Sequence, residues 1–154
     1  MPSRRDQIKL SDEEVRAYLD DRMVMQVATI GPRGLPHVVP LWFVRDGMEL
    51  EAWTFAKSQK AKNLERDPRA TVAIEDGVQY HELRGVMLEC DVDLERDPAR
   101  VADYGVALFT RYGGGELAPE VRAAVESQAP KRVGLRFVPT RAVSWDHGKL
   151  GGAY

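Results

Sequence analysis

Residues 53–69 read Trp-Thr-Phe-Ala-Lys-Ser-Gln-Lys-Ala-Lys-Asn-Leu-Glu-Arg-Asp-Pro-Arg, and this stretch is the most informative one about the fold. Its beginning has the composition of a β-strand, and its middle has that of a short helix. Ser58 is a favourable N-cap for a helix over residues 58–66, which Asp67-Pro68 would end. The stretch therefore predicts a strand that runs directly into a short helix.

The same stretch is locally basic. Between positions 57 and 69 five cations oppose two acids, a local charge of +3 in a chain whose formal net charge is −2; the cations are Lys57, Lys60, Lys62, Arg66 and Arg69, and the acids are Glu65 and Asp67. The backbone N–H groups and the dipole at a helix N-terminus favour an anion. Lys57, Ser58 and Lys60 at the helix start therefore predict a phosphate site. The alternative is a solvated helix face whose lysines contribute only to solubility.

Aromatic and apolar residues flank the basic helix start. Pro40-Leu41-Trp42 belongs to the preceding predicted strand, and Trp53-Thr54 leads directly into the basic turn. A flat apolar surface beside an anion site would suit an aromatic ring that bears a phosphate. The alternative is that both tryptophans are core residues, since large aromatic side chains dominate protein cores.

Alternating apolar positions predict further strands along the chain. We expect strands over residues 23–30, 35–44, 48–53, 70–75, 79–94, 133–138 and 142–145. The first two would form a hairpin across the turn at residues 31–34, and the third would follow them in an antiparallel arrangement. Gly85 is expected to form a bulge in the long fifth strand.

Three further helices are predicted between or before the strands. Ser11 and Glu14 form a capping box for a helix that ends near Asp21. Asp97-Pro98 opens a helix to about residue 112, and residues 119–128 form one more. About six antiparallel strands with short inserted helices predict an α+β, mainly β protein built on a barrel or a sandwich, and the pattern alone leaves both open.

Size and composition exclude several classes of protein. A length of 154 residues predicts one domain over residues 1–154. The net charge of −2 provides no overall field to attract nucleic acid or a membrane surface, and no apolar run approaches the roughly 20 residues of a membrane-spanning helix. Three histidines and one cysteine are too scattered to predict a metal site, and the standard nucleotide-binding and hydrolase motifs are absent.

The single cysteine gives information about the cellular compartment of the protein and about the reactivity of its thiol. Cys90 has no partner for an internal disulfide, and residues 1–14 do not have the pattern of a signal peptide, so we expect a cytoplasmic protein. Cys90 lies among apolar residues of the predicted fifth strand, with no nearby cation to lower the pKa of its thiol. It is therefore expected to be buried and inert.

Four blocks of the chain resemble a known family. They are Gly-Leu-Pro-His-Val-Val-Pro-Leu-Trp-Phe at 34–43, the stretch at 53–69, Val-Ala-Ile-Glu-Asp-Gly at 72–77, and Glu-Leu-Arg-Gly-Val at 82–86. In this order they are similar to the split β-barrel flavin and deazaflavin oxidoreductases of the pyridoxamine 5′-phosphate oxidase-like superfamily. The resemblance covers residues 23–145, and it is most specific at 58–69.

The resemblance implies a Greek-key-like split antiparallel barrel that forms a homodimer with two cofactor sites at the subunit interface. The cofactor phosphate would lie on Lys57, Ser58 and Lys60, and the ring would lie against Pro40, Leu41 and Trp42. The second copy would contribute residues near Gln79 and Tyr80 and the segment near Trp145. The full set of expected cofactor-binding residues is Pro40, Leu41, Trp42, Thr54, Lys57, Ser58, Lys60, Asn63, Gln79 and Tyr80.

The chain departs from true pyridoxamine phosphate oxidases, because it lacks their C-terminal Arg-Leu segment for the substrate phosphate. Its Ser-Gln-Lys loop and Gly-Gly-Ala-Tyr ending look more like the branch that uses the deazaflavin coenzyme F-420. This implies hydride transfer from reduced F-420 to a small electron-poor organic acceptor. The alternatives are an FMN-dependent oxidase or reductase and a non-catalytic flavin- or haem-binding protein. No catalytic acid is assigned; the candidates are His37, Tyr80, His81 and Tyr154.

Overall fold

The computed structural model describes residues 1–152, and its centre is an antiparallel sheet of seven strands. The strands are β1 (Met25–Ile30), β2 (Pro36–Leu41), β3 (Val44–Asp46), β4 (Glu49–Phe55), β5 (Arg69–Asp76), β6 (Arg84–Glu95) and β7 (Arg132–Asp146). They are arranged in the order β2-β1-β5-β6-β7-β4-β3. The predicted hairpin of the first two strands is confirmed.

The sheet curls because the strands at its two edges are joined by only two residues. Leu41 ends β2 and Val44 begins β3, so their Cα atoms lie within about 11 Å of each other. A sheet whose first and last strands approach this closely must close on itself. Phe43, in the connection, is completely buried. The curled sheet confirms the predicted mainly β split barrel.

Short helices lie around the barrel. They are α1 (Arg4–Ile8), α2 (Asp12–Asp21), α3 (Gln59–Arg66), α4 (Pro98–Tyr112) and α5 (Pro119–Gln128). The capping box of Ser11 and Glu14 is present at α2, and Asp97 caps α4 with Pro98 at its first turn. The predicted helices are confirmed, whereas α1 is an additional five-residue helix that the apolar pattern does not indicate.

Two apolar clusters lie on the two faces of β4. The barrel interior is filled by side chains such as Phe43, Leu50 and Phe137, all completely buried. On the other face of β4, Trp53 packs beneath α4 and α5. A Cβ at Gly105 of α4 would lie 2.3 Å from the Trp53 ring, so only glycine allows the helix to approach this closely.

The prediction of one strand over residues 35–44 is wrong. The chain leaves the sheet at residues 42–43, because β2 and β3 belong to opposite edges of the barrel. For the same reason β2 and β4 are not neighbours, and β4 pairs with β3 and β7. Contacts between elements distant in sequence therefore override a continuous β-like pattern.

The predicted boundaries of the fifth strand and of the last two strands also need correction. β6 begins only at Arg84, because the Glu82 carboxylate accepts backbone N–H bonds from Val78 and Gln79 and stabilises a short turn. Gly85 is not a bulge, since it pairs in register with Trp145. The expected strands at 133–138 and 142–145 are parts of the single strand β7, which bends at Thr140, where the register with β6 shifts.

Cys90 lies inside the barrel on β6. Its side chain is buried, as predicted, and burial raises the pKa of its thiol to about 12. A thiol with this pKa holds almost no thiolate at neutral pH, which is the reactive form. The structure thus supplies the physical reason to expect an inert cysteine.

Candidate functional site

The start of α3 brings three of the predicted cofactor contacts together. Ser58 caps the helix, and its Oγ accepts a hydrogen bond of 3.3 Å from the Ala61 backbone N–H. Thr54, at the end of β4, donates from its hydroxyl to the same Oγ at 3.3 Å. The Lys60 ammonium donates to the Thr54 hydroxyl at 3.0 Å. Thr54, Ser58 and Lys60 therefore form one polar cluster at a helix N-terminus.

Lys60 carries a charge that its neighbours do not balance. Its side chain is half-buried, and this burial is the main reason why the pKa of its ammonium is lowered. The charge of Arg132 lowers the pKa further. Its described hydrogen-bond partner is a neutral hydroxyl. A partly desolvated cation beside a neutral acceptor would gain free energy from an anion.

The acids of the basic stretch are paired with arginines, and so they do not neutralise the lysines. Glu65 forms an ion pair of 2.7 Å with Arg96, and Asp67 forms one of 2.7 Å with Arg69. Lys57 is exposed in the turn before α3 and, within residues 1–152, has no carboxylate at ion-pair distance. The positive charge at the helix start is therefore available to a ligand.

Asn63 is placed differently from the predicted contacts at the helix start. It is completely buried, and its side-chain amide donates to the Thr29 hydroxyl at 3.0 Å and accepts from Gln59 at 2.7 Å. The bond to Thr29 ties α3 to β1, and the bond from Gln59 lies within α3. Asn63 thus positions the helix, and its side chain does not reach the surface at the cluster.

The predicted ring contacts lie together in a cleft next to this cluster. The cleft, which we call the aromatic cleft, has a volume of about 380 Å³ and is lined by Val24, Pro40, Leu41, Trp42, Trp53, Leu108 and Arg132. The Trp42 ring is stacked on Tyr112 with centroids 4.3 Å apart and is 46% exposed. This stacking presents a fixed flat surface to a planar ligand.

Arg132 is the main residue of the site that the sequence analysis missed. It is the first residue of β7, pairs with Phe55 of β4, and places its guanidinium over the Phe55 and Trp53 rings at 4.0 and 4.5 Å. Only the pairing of β4 with β7 brings it to the cleft. A strand pairing across more than seventy residues has no signal in the local sequence.

Gln79 and Tyr80 lie away from α3 in the same chain. They occupy the exposed turn between β5 and β6, where the Tyr80 ring is 4.5 Å from His147. β5 begins three residues after α3 and extends eight residues, about 25 Å, towards this turn. Within one chain the structure therefore does not bring these two residues to the cluster at α3.

The candidate proton donors do not line the aromatic cleft either. Among the described residues, His37 is on β2 opposite Thr29, and Tyr80 and His81 belong to the turn before β6. Tyr154 lies outside the described residues. The candidate site therefore contains cationic, hydroxyl and aromatic groups, and a catalytic acid is not assigned from it.

A second groove, of about 390 Å³, lies on the outer face of the sheet at β1, β5 and β6. Two of its charged residues already have ion-pair partners, since Arg69 pairs with Asp67 and Glu89 pairs with Arg141. The aromatic cleft is the better ligand site because its cation lacks a carboxylate. Over residues 1–152, no group of three or more potential ligands could hold a metal ion, and no helix is long and apolar enough to cross a membrane.

Comparison with known proteins gives a family match and several similar structures. The model of the pyridoxamine 5′-phosphate oxidase family matches residues 11–146, which include the cluster at α3 and the aromatic cleft. No match was found among curated proteins.

Three solved structures illustrate the likeness. A conserved hypothetical protein from Mycobacterium tuberculosis, Rv2991, is 38% identical, covers 99% of this chain and 95% of its own, and has a TM-score of 0.89. A structure described as an F420 reductase is 25% identical over 82% of this chain and 94% of its own, with a TM-score of 0.65. HutZ, the heme storage protein from Vibrio cholerae, is 18% identical over 88% of this chain and 96% of its own, with a TM-score of 0.68, and shows the fold alone.

Proposed function

Because the chain belongs to the pyridoxamine 5′-phosphate oxidase family, we propose that it is an oxidoreductase that binds a phosphate-bearing flavin or deazaflavin. The observation that carries the proposal is the half-buried, unbalanced ammonium of Lys60 beside the Ser58-capped start of α3. An anion at this point would meet the backbone N–H groups of the first turn and two lysines. The aromatic cleft alongside would hold the ring.

The protein's own residues would bind, orient and shield the reacting ring. Lys57, Ser58 and Lys60 would hold the phosphate, and Pro40, Leu41 and Trp42 would pack on one face of the ring. When bound, the cofactor supplies hydride chemistry, and the protein supplies orientation and a dry, shaped site. The proposed acceptor is a small electron-poor organic molecule.

F-420 is the proposed cofactor, and FMN is the second candidate. The 25% identity with an F420 reductase and the Ser-Gln-Lys loop at residues 58–60 support F-420, whereas the same phosphate site would also accept FMN. In fluorescence titrations at identical salt concentration we expect tighter binding of F-420 than of FMN. A tenfold preference for FMN, about 1.4 kcal/mol, would contradict this order.

Turnover separates an enzyme from a cofactor carrier. The fold is shared with HutZ, a heme storage protein, so binding alone would not establish catalysis. We expect the purified protein to oxidise reduced F-420 when an electron-poor acceptor such as a nitroaromatic compound is present. Tight binding with no turnover on a panel of such acceptors would favour the carrier.

We further propose a homodimer in which Gln79, Tyr80 and the segment near Trp145 of one copy approach the aromatic cleft of the other. Exposed apolar side chains mark the face that would be covered: Val24 is 45% exposed, Val38 56% and Trp42 46%. Contiguous exposed apolar surface commonly marks an interface.

Sedimentation at micromolar concentration is expected to show two chains. A Val38→Asp variant should dissociate the dimer and weaken cofactor binding, because it places a charge in the proposed interface. Val121→Asp is the matched control, since Val121 is 45% exposed on α5 and does not line the aromatic cleft. A monomeric wild-type protein that binds cofactor at full affinity would contradict the shared site.

We also propose a cytoplasmic location. Cys90 is a free thiol, and reducing compartments keep thiols unpaired.

A further inference from the structure

Arg132 is held in a fixed position at the wall of the aromatic cleft. Its guanidinium carbon lies 4.0 Å from the centroid of the Phe55 ring and 4.5 Å from that of Trp53. The terminal nitrogen donates to the Gln128 side-chain oxygen at 2.7 Å. Stacking on two rings and one hydrogen bond restrict the orientation of the planar group.

The charge of Arg132 lacks a counter-ion among the described residues. Its one described side-chain partner is a neutral amide, and its Nε is buried without any acceptor within residues 1–152. Two other partly buried arginines have carboxylate partners, since Arg45 binds Asp20 at 2.7 Å and Arg84 binds Asp76 at 3.1 Å. A buried cationic N–H without an acceptor costs free energy, and a ligand atom that accepts its hydrogen bond would remove this cost.

The site contains two cations, Arg132 and Lys60, in different surroundings. Burial lowers the pKa of both groups, and the Arg132 charge adds to the effect on Lys60. Lys60 lies with Thr54 and Ser58 at the helix start, whereas Arg132 lines the cleft together with Pro40 and Trp42. The two cations are therefore suited to two different electron-rich parts of one ligand.

We infer that Arg132 binds the electron-rich carbonyl edge of the cofactor ring and favours its reduced, negatively charged form. This inference rests on the proposed function and adds a residue and a role to it. Flavin and deazaflavin rings carry carbonyl oxygens and a ring nitrogen along one edge, and this edge gains negative charge on two-electron reduction. A fixed cation placed where charge develops stabilises that state.

The experiment compares FMN with riboflavin, which has the same ring and lacks the phosphate. Fluorescence quenching gives both dissociation constants for the wild-type protein, Arg132→Gln, Arg132→Lys and the control Arg122→Gln, whose side chain pairs with Glu126 on exposed α5. We expect Arg132→Gln to raise the dissociation constants of FMN and riboflavin equally, by about tenfold. The midpoint potential of bound FMN should become more negative in Arg132→Gln and stay near the wild-type value in Arg132→Lys. Arg122→Gln should leave both constants unchanged.

The possible outcomes separate this inference from the proposed function. If the wild-type protein binds FMN while Arg132→Gln binds it equally well, the role of Arg132 is wrong and the proposed function stands. If Arg132→Gln weakens the binding of FMN but leaves the binding of riboflavin unchanged, Arg132 contacts the phosphate and the assignment to the ring edge is overturned. If the wild-type protein binds neither FMN nor F-420, the proposed function fails together with the inference.

Discussion

An Arg111→Ala variant is expected to lose about 3 kcal/mol of unfolding free energy, which is a large effect for a single substitution. Arg111, on α4, donates to the backbone carbonyls of Leu19 and Asp20, each at 3.1 Å, and to those of Arg22 and Phe43. Its removal would take this donor away from the Asp20 and Arg22 carbonyls at the end of α2. The Leu19 carbonyl would keep the bond from the Arg22 N–H, and the Phe43 carbonyl would keep the bond from the Tyr112 hydroxyl.

Thermal unfolding followed by circular dichroism measures this effect. For a chain of 154 residues, 3 kcal/mol corresponds to a fall in Tm of about 6 to 12 °C. The matched control is Arg122→Ala, which removes an exposed ion pair with Glu126 and should change stability by less than about 0.5 kcal/mol. A Tm for Arg111→Ala within about 2 °C of the wild-type value would contradict the proposed role of Arg111.

Local sequence signals were sufficient for most of the elements of the fold. The caps at Ser11, Ser58 and Asp97 act through bonds to residues two or three positions away, so they are visible in the sequence and are confirmed. The split of residues 35–44 into β2 and β3 depends on closure of the barrel. No local pattern encodes this closure, because residues 42–43 are as apolar as their neighbours.

The same distinction applies to the candidate site. The cluster of Thr54, Ser58 and Lys60 lies within seven consecutive residues, so the local sequence is enough to indicate that these side chains are close together. Arg132 enters the site through the pairing of β4 with β7 and through its stacking on Phe55, which only the tertiary structure shows. Asn63 has a polar side chain in the same segment, but it is completely buried and donates to Thr29 of β1, which anchors α3 to the sheet.

The second large effect is expected at Lys60. A Lys60→Ala variant should weaken cofactor binding at least tenfold, because a charge-assisted hydrogen bond to the phosphate contributes about 1.5 to 3 kcal/mol. The stability of the protein without ligand should hardly change, since the substitution removes a half-buried charge that no carboxylate balances. Lys62→Ala is the control, because Lys62 is exposed and lies two positions further along α3.

The central claim is that the start of α3 holds a cofactor phosphate, and the dissociation constants of FMN and riboflavin for wild-type, Lys60→Ala and Lys62→Ala proteins test it most directly. We expect Lys60→Ala to raise the dissociation constant of FMN at least tenfold and that of riboflavin less than about twofold. Lys62→Ala should leave both dissociation constants close to the wild-type values. Equal, small effects of Lys60→Ala and Lys62→Ala on FMN would contradict the claim and would mean that the basic stretch is only a solvated helix face.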